Sequence, residues 1–241
     1  MMNITIWSDY ACPYCYIGET RLEKAIEELG MAGDVKIDYR AFELDPSAAK
    51  EVTGPTSERF AMKYRLSLPE AEAQIEQISA LGREVGIDFK YASTLYSNTF
   101  DAHRLMKLAE NKYDYATVQR LNTLLFDAYF TKNLVLADHK VLEAVAKEAG
   151  MDEKEVKEVL ESDRYADDVR FDEREAQMRG VRGVPYMVFN GEFSIPGAMT
   201  VDGLKSALQR AQRRIEAAEK AASKEDGERP HVCGPDGCQL I

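Results

Sequence analysis

Between Asn3 and Phe42 the apolar residues change period twice, and a pair of cysteines sits at the first change. NITIW (3–7) alternates Ile4 and Ile6 with polar neighbours and stops at Ser8-Asp9, the pattern of a strand. From Pro13, Tyr16, Ile17, Leu22, Ala25, Ile26 and Leu29 recur at helical spacing, with Gly30 where a helix ends. VKIDYRAF (35–42) then alternates again. Strand, helix and strand over about 40 residues make a βαβ unit whose two strands run parallel.

Cys12 and Cys15, separated by Pro13 and Tyr14, fall at the strand-to-helix turn. A C-x-x-C serves as half a zinc site, a structural staple or a reactive dithiol. Pro13 suits a first helical turn, because the N–H it lacks has no partner there. Free backbone N–H groups and the helix dipole favour a thiolate at that position, drawing a cysteine down from its usual ~8.5. Cys15, one turn on, lies on nearly the same face and reaches a mixed disulfide formed on Cys12. A four-cysteine zinc site would need Cys233 and Cys238, more than two hundred residues away, with His231 beside them.

Residues from about Thr53 to Asp163 are almost all helix-forming, in segments near 56–65, 69–85, 98–111, 115–130, 138–149 and 152–162. Pro69, Gly86, Asp114, Asn133 and Gly150 mark the breaks, and Asp138 is placed to cap HKVLEAVAKEAG. Only short pieces near 87–91 carry a weak strand signal. A helix over 165–179 follows, then YMVF and EFSI as strands joined by Asn190-Gly191, and a helix from Val201. The fold class is therefore α/β. Residues 1–50 and 164–215 form one discontinuous domain, 51–163 an all-helical insertion, and 216–241 a polar tail with a flexible Ala/Glu/Lys-rich approach.

The order β-α-β, helical block, α-β-β-α resembles the thioredoxin fold with an inserted helical subdomain, as in the DsbA-like group. C-P-Y-C at the βα turn, Val184-Pro185 at the start of a late strand and the Asn-Gly hairpin stand where that group has them. The resemblance implies a thiol–disulfide oxidoreductase or isomerase of protein disulfides. Cys12 would be the attacking sulfur and Cys15 the resolving one, with Pro13 and Tyr14 tuning the potential. It also implies a cis-proline at Pro185 that turns the Val184 backbone toward an extended substrate. HVCGPDGCQLI holds Cys233 and Cys238 around a Gly-Pro-Asp-Gly turn, and such a C-terminal C-x4-C is similar to that of FrnE-like proteins, which are cytosolic members of the group. That pair either relays electrons to Cys12–Cys15 or closes a terminal loop.

Two other classes share parts of this pattern. The 2-hydroxychromene-2-carboxylate isomerases and kappa-type glutathione transferases have the same order but a serine at the first active-site position. A non-enzymatic redox sensor would carry the same dithiol as a switch. His103, in a segment also resembling those isomerases, reads as a core or interface residue, and His139 as a surface one.

The net charge of -11 over 241 residues argues against a nucleic-acid partner. No apolar run reaches the ~18 residues of a membrane span. MMNITIWSDY lacks the basic start and apolar stretch of a secretory signal, so the cytoplasm is the expected compartment. No phosphate-cradling loop or metal-ligand spacing appears, so no cofactor and no metal is expected. Met151, Met178, Met187 and Met199 are expected in the core. The expected partners are protein or small-molecule disulfides and thiols.

Overall fold

In the computed structural model, residues 1–52, 54–227, 231–234 and 237–240 are described, with side chains described as far as residue 221. Strand β1 (Met2–Ser8) runs parallel to β2 (Val35–Ala41), in register from Met2 opposite Val35 to Ser8 opposite Ala41. On its other side β1 pairs antiparallel with β3 (Tyr186–Phe189), which pairs antiparallel with β4 (Phe193–Pro196). The sheet order is β2-β1-β3-β4. This is the thioredoxin-like fold with a mixed sheet, mainly helical outside it.

The alternation of β1 decides which face meets what. Ile4 and Ile6 are fully buried in the main core with Met187 and Phe189, against helix α1 (Pro13–Glu28) and the C-terminal helix α9 (Val201–Gly227). Trp7 points the other way, into a smaller cluster with Ala176, Val181 and Val188. Ala176 belongs to α8 (Ala166–Met178), which lies against β2. Two-fold side-chain alternation thus gives each sheet face its own helix layer.

Between β2 and α8 come α2 (Thr56–Tyr64), α3 (Leu68–Glu84), α4 (Phe100–Lys112), α5 (Tyr115–Phe130), α6 (His139–Ala149) and α7 (Glu153–Leu160). Local chemistry sets several boundaries. Ser67 and Glu70 form a capping box at α3, Asp114 accepts from the Thr117 N–H at α5, and Asp138 accepts from the Lys140 N–H at α6. Gly150 closes α6 at φ 94°, a left-handed turn that costs glycine little. Asn190 and Gly191 both take positive φ, and the Glu192 N–H returns to the Phe189 carbonyl to close the β3–β4 connection.

Residues 87–91, where the strand signal is weak, form no strand and lead into a 3₁₀ turn at Tyr91–Ser93, with Ile87 and Phe89 buried and Phe89 against Gly82 of α3. Two expectations are corrected. The approach to the tail is not a flexible linker as far as Gly227. Helix α9 continues through it, since Ala, Glu, Lys, Arg and Gln keep helix propensity high after the last buried turn at Ala211. Met178 and Met199 are exposed, at 77% and 37%, whereas Met151 and Met187 are core residues. His139, read as a surface residue, keeps its side chain 37% exposed while its Nε2 reaches Asp101 Oδ2 at 2.9 Å.

The helical block and the sheet are tied by buried charge on α4. Asp172 of α8, 1% exposed, pairs with Lys107 Nζ at 2.7 Å and Arg40 Nη1 at 2.9 Å, and accepts from the Ala41 N–H. Lys107 also donates to the Tyr39 carbonyl and to Glu110. Burial alone would lower the Lys107 pKa, yet Glu110 and Asp172 together raise it. Among the described residues no helix is long and apolar enough to cross a membrane.

Beyond α9 the backbone forms a hairpin, β5 (His231–Gly234) antiparallel to β6 (Gly237–Leu240), with Cys233 opposite Cys238. The side chains of both cysteines, and with them the relay reading, lie outside the described residues.

Candidate active site

The end of β1 delivers the chain into a turn organised by Asp9. Its buried carboxylate accepts from the Ala11 N–H, the Leu44 N–H at 2.7 Å and the Thr99 hydroxyl at 2.9 Å. The Asp9 carbonyl accepts from the Cys12 N–H at 2.9 Å. Cys12 is then the N-cap of α1 in an extended conformation, and Pro13 is its first helical residue. The sequence expectation for this turn is met in both respects.

Both sulfurs are free thiols and buried: Cys12 is 4% exposed and Cys15 0%. The Val184–Pro185 bond is cis, and the Cys12 thiol donates to the Val184 carbonyl at an Sγ···O distance of 3.6 Å. Gly18 of α1 lets this loop approach, since a Cβ there would lie 3.2 Å from Pro185 Cγ. Tyr14, 42% exposed, lines the cavity into which Cys12 opens. Thus Cys12, Cys15, Pro13, Tyr14, Val184 and Pro185 come together at one place.

Three residues of the site escape a reading based on motifs. Glu19 is fully buried, accepting from the Ser8 hydroxyl at 2.5 Å and the Asn122 amide at 2.7 Å. Burial pushes its pKa up to about 7, against the lowering effect of those two hydrogen bonds. Burial, then the neighbouring Cys12, also raises Cys15 well above the usual thiol range, while a hydrogen bond with Ser8 works the other way. One hydroxyl therefore touches both the buried thiol and the buried acid. The available signal was Glu19 itself. It sits four residues after Cys15, in the same stripe as Leu22 and Ile26, where a charge has no business unless it is used.

His103 is buried, its ring tilted against Tyr10 with ring centroids 4.9 Å apart. Its Nε2 stands 3.6 Å from Asp9 Oδ1, and it takes no part in lining the cavity at Cys12.

The DSBA-like thioredoxin domain family matches residues 3–209. The chain belongs to that family. A solved structure of a probable DsbA oxidoreductase from Streptomyces coelicolor is 33% identical, covers 100% of both chains and superposes with a TM-score of 0.82. YwbO of Bacillus subtilis, whose function is uncharacterized, is 26% identical over 88% of this chain and 98% of its own length. A 2-hydroxychromene-2-carboxylate isomerase shares the fold at 16% identity and a TM-score of 0.67, covering 90% of this chain and 98% of its own. In this DsbA-like chain the helical block and the late β-hairpin of the sheet are therefore family architecture.

Proposed function

We propose that this DsbA-like protein is a thiol–disulfide oxidoreductase or isomerase acting on protein disulfides through Cys12 and Cys15. The observation that carries the reading is the asymmetry of the pair. Cys12 caps a helix and opens into a cavity beside the Val184 carbonyl. Cys15 is sealed one turn deeper, against Ser8.

In the proposed reaction the Cys12 thiolate attacks a substrate disulfide, forming one S–S bond as the substrate's own breaks. The departing half leaves as a thiolate and takes up a proton. Cys15 then passes its proton through Ser8 toward Glu19 and attacks the Cys12 sulfur, releasing the second half as a thiol. The substrate gains two electrons and the dithiol becomes a disulfide; the reverse sequence oxidises a substrate dithiol. An extended substrate would pair with the Val184 backbone, with Pro13 and Tyr14 tuning the potential.

We further assign the chain to the FrnE-like subfamily and to the cytoplasm, where a protein with four cysteines in 241 residues does not depend on disulfides for its fold. In that reading Cys233 and Cys238, opposite one another in the β5–β6 register, exchange electrons with the first pair. The rival isomerase chemistry has a serine where this chain has Cys12, and does not call for Cys15.

Reduction of insulin disulfides with a thiol reductant tests the proposal. Cys12→Ser is expected to abolish turnover, and a Cys12→Ser variant that retained it would overturn the reading. For the relay, a Cys15→Ser, Cys238→Ser double variant is expected to accumulate a Cys12–Cys233 mixed disulfide. Its absence under conditions that trap Cys12 with other thiols overturns the relay alone.

A further inference from the structure

The cavity beside Cys12 has a volume of about 460 Å³. That is the size of a drug-sized ligand site, and larger than a bare disulfide bond needs. Helices α2 and α3 of the insertion form one side of it. Tyr64, Tyr91, Tyr96 and Tyr129 supply aromatic walls. Tyr64 and Tyr91 line the same cavity as Cys12.

The charge of the lining is opposite to that of the protein. The chain carries 42 acidic residues and a net charge of -11, yet no Asp or Glu lines this cavity, while Arg59 and Lys63 do. These two are one turn apart on α2 and so share a face. Neither forms an ion pair or a side-chain hydrogen bond among the described residues. The Arg59 Cζ stands over the Tyr96 ring, 3.1 Å from its centroid, and the Lys63 Nζ stands 5.8 Å from the Tyr64 centroid. The contact with Tyr96 is a cation–π one, which leaves the guanidinium N–H donors for a ligand. Asp45, the carboxylate that Arg59 helps to keep ionised, is outside the lining and accepts from the Ser47 and Tyr96 hydroxyls. Two cations in an aromatic cleft that Cys12 also lines, with no acid in that lining, are complementary to an anion that carries sulfur.

We propose that this cavity binds low-molecular-weight disulfides bearing carboxylates, and that Arg59 and Lys63 select them by charge for attack by Cys12. The proposal rests on the dithiol reading above and adds a substrate class to it. The Cys12 thiolate forms a bond to one sulfur of the bound disulfide as the S–S bond breaks. Cys15 then displaces the second sulfur, so the dithiol loses two electrons and the substrate leaves as two thiols. Electrostatic selection of this kind acts on the capture step and weakens with salt.

Single-turnover oxidation of the pre-reduced protein tests this without any added reductant. The probes are the dianionic dithiobis(nitrobenzoate) and the neutral dithiodipyridine. The readout is the ratio of their second-order rate constants, each divided by that of free dithiothreitol. In the wild type this ratio is expected to favour the dianion and to fall as ionic strength rises. In Arg59→Met, Lys63→Met the ratio is expected to drop by about 10-fold or more, the scale of one lost charge-assisted contact. Arg59→Lys, Lys63→Arg is expected to keep most of the preference, which separates charge from simple disruption of α2. A ratio unchanged in the double Met variant, with insulin still reduced, overturns the proposal and leaves the cavity to a polypeptide chain. If Cys12→Ser reacts with both probes as the wild type does, it is the dithiol reading that fails instead.

Discussion

Ser8 donates to the Glu19 carboxylate at 2.5 Å and also works to lower the pKa of the buried Cys15 thiol, so one hydroxyl of β1 stands between a buried acid and a buried thiol of α1. The Asn122 amide holds the second carboxylate oxygen, which fixes Glu19 in place from α5. A buried thiol with a raised pKa is a poor attacking group until something accepts its proton. Glu19, at about 7, is matched to that task near neutral pH.

Glu19→Gln keeps the size and one hydrogen bond but cannot take the proton. We expect it to lengthen the life of a mixed disulfide on Cys12 about 100-fold or more at pH 7, the low end of what a positioned base contributes. Formation of that mixed disulfide should change little. Ser8→Ala should produce the same imbalance. Rapid-quench trapping followed by mass measurement reads both steps, and equal slowing of the two would assign Glu19 a structural role only.

The same carboxyl makes stability depend on pH. Its folded pKa lies above its ordinary value of 4.5, so the folded state binds the extra proton between 4.5 and about 7. Stability contributed by the neutral form is complete below 4.5 and is lost as pH rises through 7. Over that window the penalty approaches about 3 kcal/mol. Compared with Glu19→Gln, the wild type should therefore lose stability from pH 4.5 to pH 8. Urea unfolding of both proteins across this range measures the difference, and parallel curves would contradict it.

Gly18→Ala introduces a methyl 3.2 Å from Pro185 Cγ and 3.3 Å from Ala198 Cβ. The gain in helix propensity, about 0.5–1 kcal/mol, is opposed by overpacking of about 1–3 kcal/mol. A net loss of about 1 kcal/mol is expected, together with a larger fractional loss of insulin reduction, because the Val184 carbonyl moves relative to Cys12. Full activity with lowered stability would show that the close approach serves packing alone.

Asp172→Ala removes the carboxylate shared by Lys107, Arg40 and the Ala41 N–H. Lys107 keeps Glu110, so the loss should fall near the low end for breaking a buried pair, about 3 kcal/mol. A denaturant midpoint shift worth less than 1 kcal/mol would mean that water replaces the lost partner. Because the network joins α4 to β2 and α8, cooperative unfolding should also broaden.

Much of the architecture is legible in the order of residues because it is written in local terms. The change of hydrophobic period at Pro13, the caps at Asp114 and Asp138 and the Asn190-Gly191 turn each act within a few residues. The helices from α2 to α8 accordingly fall within two residues of the spans read from the sequence. The continuation of α9 to Gly227 was legible too, in its helix-forming residues, but their polarity suggests a linker when no core face is visible.

The site divides along the same line. C-P-Y-C at a βα turn carries its own geometry, since a helix start and a proline are enough to set Cys12 at the cap. That Ser8, Glu19 and Asn122 meet in one buried cluster, and that Arg59 and Lys63 line one cavity with Cys12 and no acid, depends on strand, helix and insertion closing together. Sequence alone determined where the two thiols of the proposed dithiol stand and which elements present them, because those follow from short-range periodicity and capping. Tertiary structure decided where the second thiol's proton can go and what charge the substrate meets, because burial and electrostatic fields are set by residues far apart in the chain.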